Sequence, residues 1–309
     1  MRIRTGALAL TLAAGLATGA LAAPGCDRAC LDGLADQYIA AMIARSPQTL
    51  PWAATVRASE NGVPIAIGDG LWATINASAK TALRAADPIT GQAVWIGVVE
   101  EHGQPGFLAL RLKAEGDKIA EAEMIVRRKG GPPQYGEPEH YVPDPAFAEA
   151  PAGIRQDRKT LVAAADAYFS GLEGKAAAHP RFDQDCARVD NGVSTTSGAA
   201  TEGGVAGCEA QFKARVFAPI RDVRARRYPI VDEARGLVIA AGAFDLPATA
   251  PKPAAGKGLA WAADYPYSVG FLTAFKVRDG KIARIESVSS ALPYLMPSPW
   301  SAVPAAKAR

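Results

Sequence analysis

One stretch of this chain occurs twice. Residues Asp27–Val63 align without a gap with Asp157–Val193, at a constant offset of 130 positions. Nine of the 37 aligned positions are identical: Asp27/Asp157, Arg28/Arg158, Leu31/Leu161, Ala35/Ala165, Asp36/Asp166, Tyr38/Tyr168 and the run Asn61-Gly62-Val63 with Asn191-Gly192-Val193. That is several times what chance pairing gives, and only one of the nine is alanine, so composition does not produce the match. A long self-similar period constrains a fold more than any local propensity, because the chain must then build one unit twice.

The physical pattern repeats with the identities. Leu31, Leu34, Ala35, Tyr38, Ile39, Met42 and Ile43 follow the i, i+3, i+4, i+7 spacing of one helix face, and Leu161, Ala164, Ala165, Tyr168, Phe169 and Leu172 do the same. Each unit therefore opens with an amphipathic helix bearing a tyrosine on its buried stripe. The unit ends also agree. Gly106-Phe107-Leu108-Ala109-Leu110-Arg111-Leu112 resembles Gly270-Phe271-Leu272-Thr273-Ala274-Phe275-Lys276. Turns follow at Glu115-Gly116-Asp117 and Arg278-Asp279-Gly280, then return strands opening at Lys118-Ile119 and Lys281-Ile282, which predicts a closing β-hairpin in each unit. Apolar, β-branched runs at Val94–Val99 and Leu237–Phe244 add further strands.

Between the units, six prolines crowd into residues 130–153, which forbids helix and central strand there. A second proline-rich stretch at 246–256 reads as a surface excursion, and the Gly/Ser/Thr-rich Ser194–Gly207 as a mobile loop. The expected organisation is a leader over 1–23, a first domain over 24–129, a linker over 130–153, a second domain over 154–300 and a tail over 301–309.

The leader reads as a secretory signal: Arg2 and Arg4, an apolar core over Ala7–Ala17, and Ala20-Leu21-Ala22 as a small-residue cleavage site. The core is too short and too rich in Ala and Gly to span about 30 Å of hydrocarbon. Ala23 and Pro24 disfavour a lipid anchor at Cys26. A secreted or periplasmic location follows. There Cys26, Cys30, Cys186 and Cys208 are expected to form disulfides, with sequence proximity favouring Cys26–Cys30 and Cys186–Cys208. A zinc site is the alternative, but the spacings are not CxxC and none of the three histidines lies near a cysteine in sequence. The net charge is +3, and the one basic cluster, Arg221–Arg235, is interleaved with Asp222, Asp232 and Glu233, so no nucleic-acid surface is expected. No later stretch is apolar enough for a transmembrane segment.

The order of helix, polar turn, then curved sheet ending in a long hairpin resembles the nuclear-transport-factor-2-like fold, whose members include SnoaL-like polyketide cyclases and ketosteroid isomerases. The strings Glu60-Asn61-Gly62, Gly68-Asp69-Gly70-Leu71-Trp72, Asp185-Cys186-Ala187-Arg188-Val189-Asp190-Asn191-Gly192 and Pro229–Val238 resemble a family of secreted bacterial and fungal proteins described only as a domain of unknown function. This resemblance runs over nearly all of the chain after the leader. It implies an α+β protein of two tandem NTF2-like, SnoaL-like cones, each a helix packed in a curved antiparallel sheet around a largely apolar pocket. Fold resemblance does not license an activity.

In the resembling enzymes a pocket carboxylate or histidine acts as general base. The candidates here are Asp190 and Asp185, which flank Arg188, and His179. The competing reading of Asp190-Asn191-Gly192 is a turn, since Asn-Gly favours positive φ and Glu60-Asn61-Gly62 sits at the same place in the first unit. Tyr168 and Tyr38 could polarise a carbonyl or simply fill the core, and Trp72 joins them as a binding candidate. Among the clustered arginines, Arg224 and Arg226 should share one strand face and Arg227 take the other, binding an anion or pairing with nearby acids. His140 could line a pocket only if the linker folds over one. No GxSxG, HExxH, Walker loop or GxGxxG appears, and no cofactor or metal is implied. The expected partner is a small hydrophobic or anionic molecule, and a homodimer is compatible with the fold. Two functions follow: a cofactor-free lyase, isomerase or cyclase using acid–base chemistry, or a non-catalytic ligand-binding or assembly module.

Overall fold

The computed structural model describes residues 25–151, 153–174, 179–198, 201–248 and 264–301. The predicted leader, most of the 246–256 excursion and most of the tail lie outside these residues.

The first unit runs α1 (Arg28–Ile43), β1 (Trp52–Glu60), β2 (Val63–Pro64), α2 (Leu71–Thr74), β3 (Ile75–Asp87), β4 (Gln92–Glu101), β5 (Gln104–Glu115) and β6 (Lys118–Arg127). The second runs α3 (Arg158–Leu172), β7 (Phe182–Asp190), β8 (Val193–Ser194), α4 (Cys208–Lys213), β9 (Asp222–Asp232), β10 (Leu237–Leu246), β11 (Tyr267–Arg278) and β12 (Lys281–Leu292). Each unit forms a six-stranded sheet of the same order, β2-β1-β6-β5-β4-β3 and β8-β7-β12-β11-β10-β9. The sheets are mixed rather than antiparallel as expected, because β1 runs parallel to β6 and β7 parallel to β12. The chain leaves β1 and β7 through β2–α2 and β8–α4 to the far edge of each sheet, and the antiparallel meander β3–β6 or β9–β12 then returns to run parallel beside the first strand.

The repeated residues turn out to hold the frame. Asp27 and Asp157 are the N-caps of α1 and α3, accepting from the Cys30 and Thr160 N–H at 2.9 and 2.7 Å. Asn61 and Asn191 take positive φ (47° and 49°) at the β1–β2 and β7–β8 turns. Each asparagine amide then locks onto the neighbouring hairpin strand, accepting from Val126 N–H and Ser289 N–H at 2.8 Å. Gly192 also has positive φ, and a Cβ there would strike the Phe107 ring of the first unit.

The hairpins pair the units at an offset of 163, not the 164 implied by aligning Gly106 with Gly270. Leu110 faces Met124 as Thr273 faces Ser287, so Phe107 is the counterpart of Gly270. One residue matters because it exchanges the faces of a strand.

Three cores result. One lies between α1 and the concave side of the first sheet, with Tyr38, Leu31, Met42, Trp95 and Leu110 buried. A second lies between α3 and the second sheet, with Tyr168, Phe169, Phe271 and Phe275. Burying an aromatic such as Phe169 contributes about 2 kcal/mol. The third joins the convex backs of the two sheets, where Val94, Ile96 and Phe107 meet Ile230, Ile239 and Leu272. Reciprocal ion pairs bracket this contact: Arg28 at the start of α1 reaches Asp232 at the end of β9 (2.7 Å), and Arg158 at the start of α3 binds Asp87 at the end of β3. The units are thus related as the subunits of an isologous dimer, within one chain.

Two straps complete the join. The proline-rich segment after β6 lays Tyr135 and Tyr141 against Phe107 and sends Phe147 into the inter-sheet core. After β12, Trp300 donates to Ser59 Oγ (2.9 Å) and stacks on Arg57 and Arg111 of the first unit. Both disulfides expected from spacing are formed, Cys26–Cys30 and Cys186–Cys208. No helix among the described residues is long and apolar enough to cross a membrane.

Candidate functional site

The two concave interiors share a frame but not a lining. In the first unit, Tyr38 Oη accepts from Trp72 Nε1 at 3.0 Å, and the two rings meet edge-on with centroids 5.1 Å apart. Trp72 is 2 % exposed and fills the space beside the helix. Tyr38 and Trp72 therefore face each other in a packed core.

In the second unit the residue at the corresponding point of the strand is Arg188, where the first has Ala58. Arg188 is 3 % exposed and projects into the concavity from β7. Its Nε lies 2.9 Å from Asp190 Oδ2 and donates to Thr195 Oγ1 at 2.8 Å, its Nη1 reaches Tyr168 Oη at 3.4 Å, and its guanidinium covers the Phe217 ring at 4.5 Å. Positions 186, 188 and 190 share the inner face because side chains alternate along a strand. Asp190 thus joins Arg188, whereas Asp185 points outward, half exposed, to Arg278 (2.7 Å) and Arg284. The expectation of two aspartates flanking one arginine in a single constellation is corrected by that alternation.

Around this pair lies a small chamber of about 30 Å³, part of it open to solvent. Its polar wall is Arg188, Asp190, Thr273, Ser287 and Ser289; its apolar wall includes Leu172, Phe217, Ile220, Phe244 and Ile285. At the matched register the first unit places Leu110, Met124 and Val126 where Thr273, Ser287 and Ser289 stand, and all three are core. These polar substitutions, together with Gln134, are lining residues that motif reading missed. Their signal was present as a loss of apolar character at alternate positions of β12.

The pair is braced from behind. Thr195 and Thr196 belong to the stretch expected to be a mobile loop, yet both are buried and bond Arg188: Thr195 N–H donates to its carbonyl (2.9 Å), and its own N–H donates to Thr196 Oγ1 (3.0 Å). Gln211 of α4 in turn holds the Thr195 carbonyl at 2.6 Å, and α4 is tied to β7 by Cys186–Cys208. From the linker, Gln134 Nε2 reaches Asp190 Oδ2 at 3.4 Å, so the segment following the first unit contributes to the chamber of the second. Burial pushes the Asp190 carboxyl above its ordinary range, with Arg188 and Thr195 pulling the other way.

The remaining candidates lie elsewhere. His179 is exposed, lining a separate cleft beyond the end of α3. His140 is exposed on the linker and bonds Glu137 (2.9 Å). Arg227 is on the convex side, bound to Glu123 at 2.6 Å across the sheet–sheet contact. The expected grouping of Arg224 with Arg226 is also corrected. A bulge around Ala225 (φ 53°), which sets Ala243 opposite Arg224 but Ala241 opposite Arg227, puts Arg224 and Arg227 on the convex face. Arg226 alone turns inward, to Asp166 and Glu173 near α3. All three arginines are paired with acids, as are Arg221 with Asp222 and Arg235 with Asp232.

Comparison with known proteins follows these boundaries. Residues 154–289 match the family described as "Domain of unknown function (DUF8021)", so the expected resemblance over nearly the whole chain is found for the second unit. No curated protein matches. Among solved structures, a protein from Sphaerobacter thermophilus is 24% identical over 31% of this chain and 94% of its own, with a TM-score of 0.25. A candidate polyketide cyclase of Xanthomonas campestris pv. campestris is 23% identical over 43% of this chain and 92% of its own, with a TM-score of 0.30. A de novo designed protein with a curved β-sheet is 12% identical over 44% and 88% of the two chains, with a TM-score of 0.26. The chain is thus a tandem α+β protein built from two cone-like units, the second of which carries the family match and the polar chamber.

Proposed function

We propose that this is an exported protein of the NTF2-like, SnoaL-like type that binds a small molecule in its second cone, and that Asp190 makes it a cofactor-free lyase, isomerase or cyclase. One observation carries the reading: Ala58, Leu110, Met124 and Val126 of the first cone are replaced in the second by Arg188, Thr273, Ser287 and Ser289, which surround a chamber. Polar groups converging at one end of an apolar cavity are the usual form of a small-molecule site. The two disulfides support export.

In this reading the substrate lies against Phe217, Phe244 and Ile285 with its carbonyl toward Arg188. The Asp190 carboxylate takes a proton from the carbon beside that carbonyl, and the C–H electron pair moves into the enolate. Arg188 and the Tyr168 hydroxyl stabilise the oxygen charge. Asp190 then returns the proton at another carbon, or a leaving group departs. Activity falls as pH drops through the raised Asp190 pKa, since the base is lost.

A thermal-shift screen of the disulfide-bonded protein against aromatic, terpenoid and sugar-acid compounds should yield ligands that stabilise it. Turnover of a hit should fall at least 100-fold in Asp190→Asn. The 2.9 Å Arg188–Asp190 contact favours a second reading, a binding module whose aspartate only holds the arginine. Unchanged turnover in Asp190→Asn would rule out the enzyme reading. Stabilising ligands with no turnover would select the binding module.

A further inference from the structure

The concavity continues past the chamber. Leu172, Phe217 and Ile220 line the chamber on one side and, on the other, a wider cleft of about 620 Å³ beneath the ends of α3 and α4. The floor of the cleft is aromatic: Phe182, Phe212 and Phe217 pack in series, with ring centroids 5.1 and 5.3 Å apart.

The charges around the rim do not balance. Glu209 and Lys213 neutralise each other at 2.6 Å. Glu173 is held by Arg226 at 2.5 Å and by the Val223 N–H at 2.8 Å. Arg215 is exposed and has no ion-pair partner among the described residues. Its backbone is unusual as well. Arg215 N–H donates to Phe212 O and Val216 N–H to Gln211 O (3.0 and 3.1 Å), which is the Schellman termination of α4 and sets Arg215 in the left-handed region at φ 54°. Glycine or asparagine is favoured at that position, and a longer side chain costs about 1 kcal/mol. The arginine is thus held at a local cost, and its guanidinium is the uncompensated charge of an aromatic-floored cleft.

We propose that the cleft binds an amphipathic monocarboxylate, with its alkyl or aryl body on Phe182, Phe212 and Phe217 and its carboxylate on Arg215. Resting on the reading of the chamber as the ligand site, this names the substrate class: an organic anion whose carboxylate stays at the rim while its other end passes Phe217 toward Arg188. A guanidinium meets a carboxylate through two parallel charge-assisted hydrogen bonds, which neutral or cationic amphiphiles cannot form.

Isothermal titration calorimetry of the disulfide-bonded protein with octanoate, 1-octanol and octyltrimethylammonium tests this. Octanoate should bind at least tenfold more tightly than the other two. Arg215→Gln should weaken octanoate about tenfold. Arg215→Gly should weaken it as much while leaving the melting temperature unchanged or raised, because glycine suits φ 54°. That combination separates recognition from a structural role. Equal affinity for octanoate and octanol, or octanoate binding untouched by both Arg215 variants, overturns the proposal. Arg215-dependent octanoate binding in a protein without turnover still upholds it, as an anion-binding cleft on a non-catalytic cone. Turnover of a neutral substrate combined with no octanoate binding overturns it and leaves the chamber reading standing.

Discussion

Tyr38 and Tyr168 occupy the same point of two helices, in two sheets of the same strand order, and meet opposite surroundings. Tyr38 receives a tryptophan N–H and is sealed in; Tyr168 stands by an arginine at the edge of a chamber. What the cones share are groups that hold backbone: the aspartate caps, the asparagine turns and the arginine–aspartate pairs across the join. What they do not share faces inward from the strands. The frame tolerates a different lining because its own hydrogen bonds do not pass through the interior. The first cone is packed with apolar side chains, and the second keeps a small polar chamber.

The largest expected effect tests that division directly. Trp72→Ala should destabilise the protein by about 4 kcal/mol, the cost of an uncollapsed cavity in the first cone, measured by urea denaturation. Ligand affinity in the second cone should hold. A loss below 1 kcal/mol would mean that the first cone is not filled by this side chain.

The matched glutamates of β6 and β12 sharpen the contrast. Glu123 is bound by Arg111 and Arg227; Arg111 keeps Glu121 at 2.8 Å, so Glu123→Gln leaves Arg227 without its acid and should cost about 2 kcal/mol. Glu286 faces Tyr141 instead, and burial, with Asp190 and Asp144 adding to it, pushes its carboxyl from 4.5 up to about 8. A folded pKa above the unfolded one means that the folded state holds the extra proton. Its stability contribution is therefore fully present below about 4.5 and is lost as pH rises to about 8. Glu286→Gln should be near neutral at pH 5 and should exceed the unaltered protein by about 2 kcal/mol above pH 8. Parallel pH profiles for the two proteins would refute this assignment.

Cys186→Ser with Cys208→Ser opens a loop of sequence separation 22 and should cost about 3 kcal/mol. Because α4 braces Thr195, ligand affinity should fall as well. Cys26→Ser with Cys30→Ser, separation 4, should cost less and leave affinity intact. The smallest effects should be equal in the two units: Asp27→Ala and Asp157→Ala each lose one cap, about 1 kcal/mol apiece by thermal melts. Unequal caps would show that the units differ in frame and not only in lining.

Much of the fold was legible because it rests on local rules. Helix stripes, Asn-Gly turns, hairpin turns and cysteine spacing each act within a few residues, and duplication showed them twice. The register of β5 against β11 misled, since aligning Gly106 with Gly270 is attractive by identity but wrong by face. The bulge around Ala225 has no marker in sequence, so the arginine faces were misassigned. The buried convex backs did leave a trace: Ala93-Val94-Trp95-Ile96 is apolar at every position, the sign of a strand covered on both sides. At the candidate site, Arg188 and Asp190 could be named from their string. Their companions could not, because Thr195, Ser287 and Gln134 come from a loop, a distant strand and the linker, and only tertiary structure gathers them.

The covalent join has a consequence for how such a molecule can change. When two identical chains pair across a twofold axis, every substitution is made on both sides, and a charge placed in one interior is necessarily placed in the other. Tethering the halves end to end removes that obligation. Here one interior carries a guanidinium where its counterpart carries an alanine, so each half is free to differ inside while the join between them is kept.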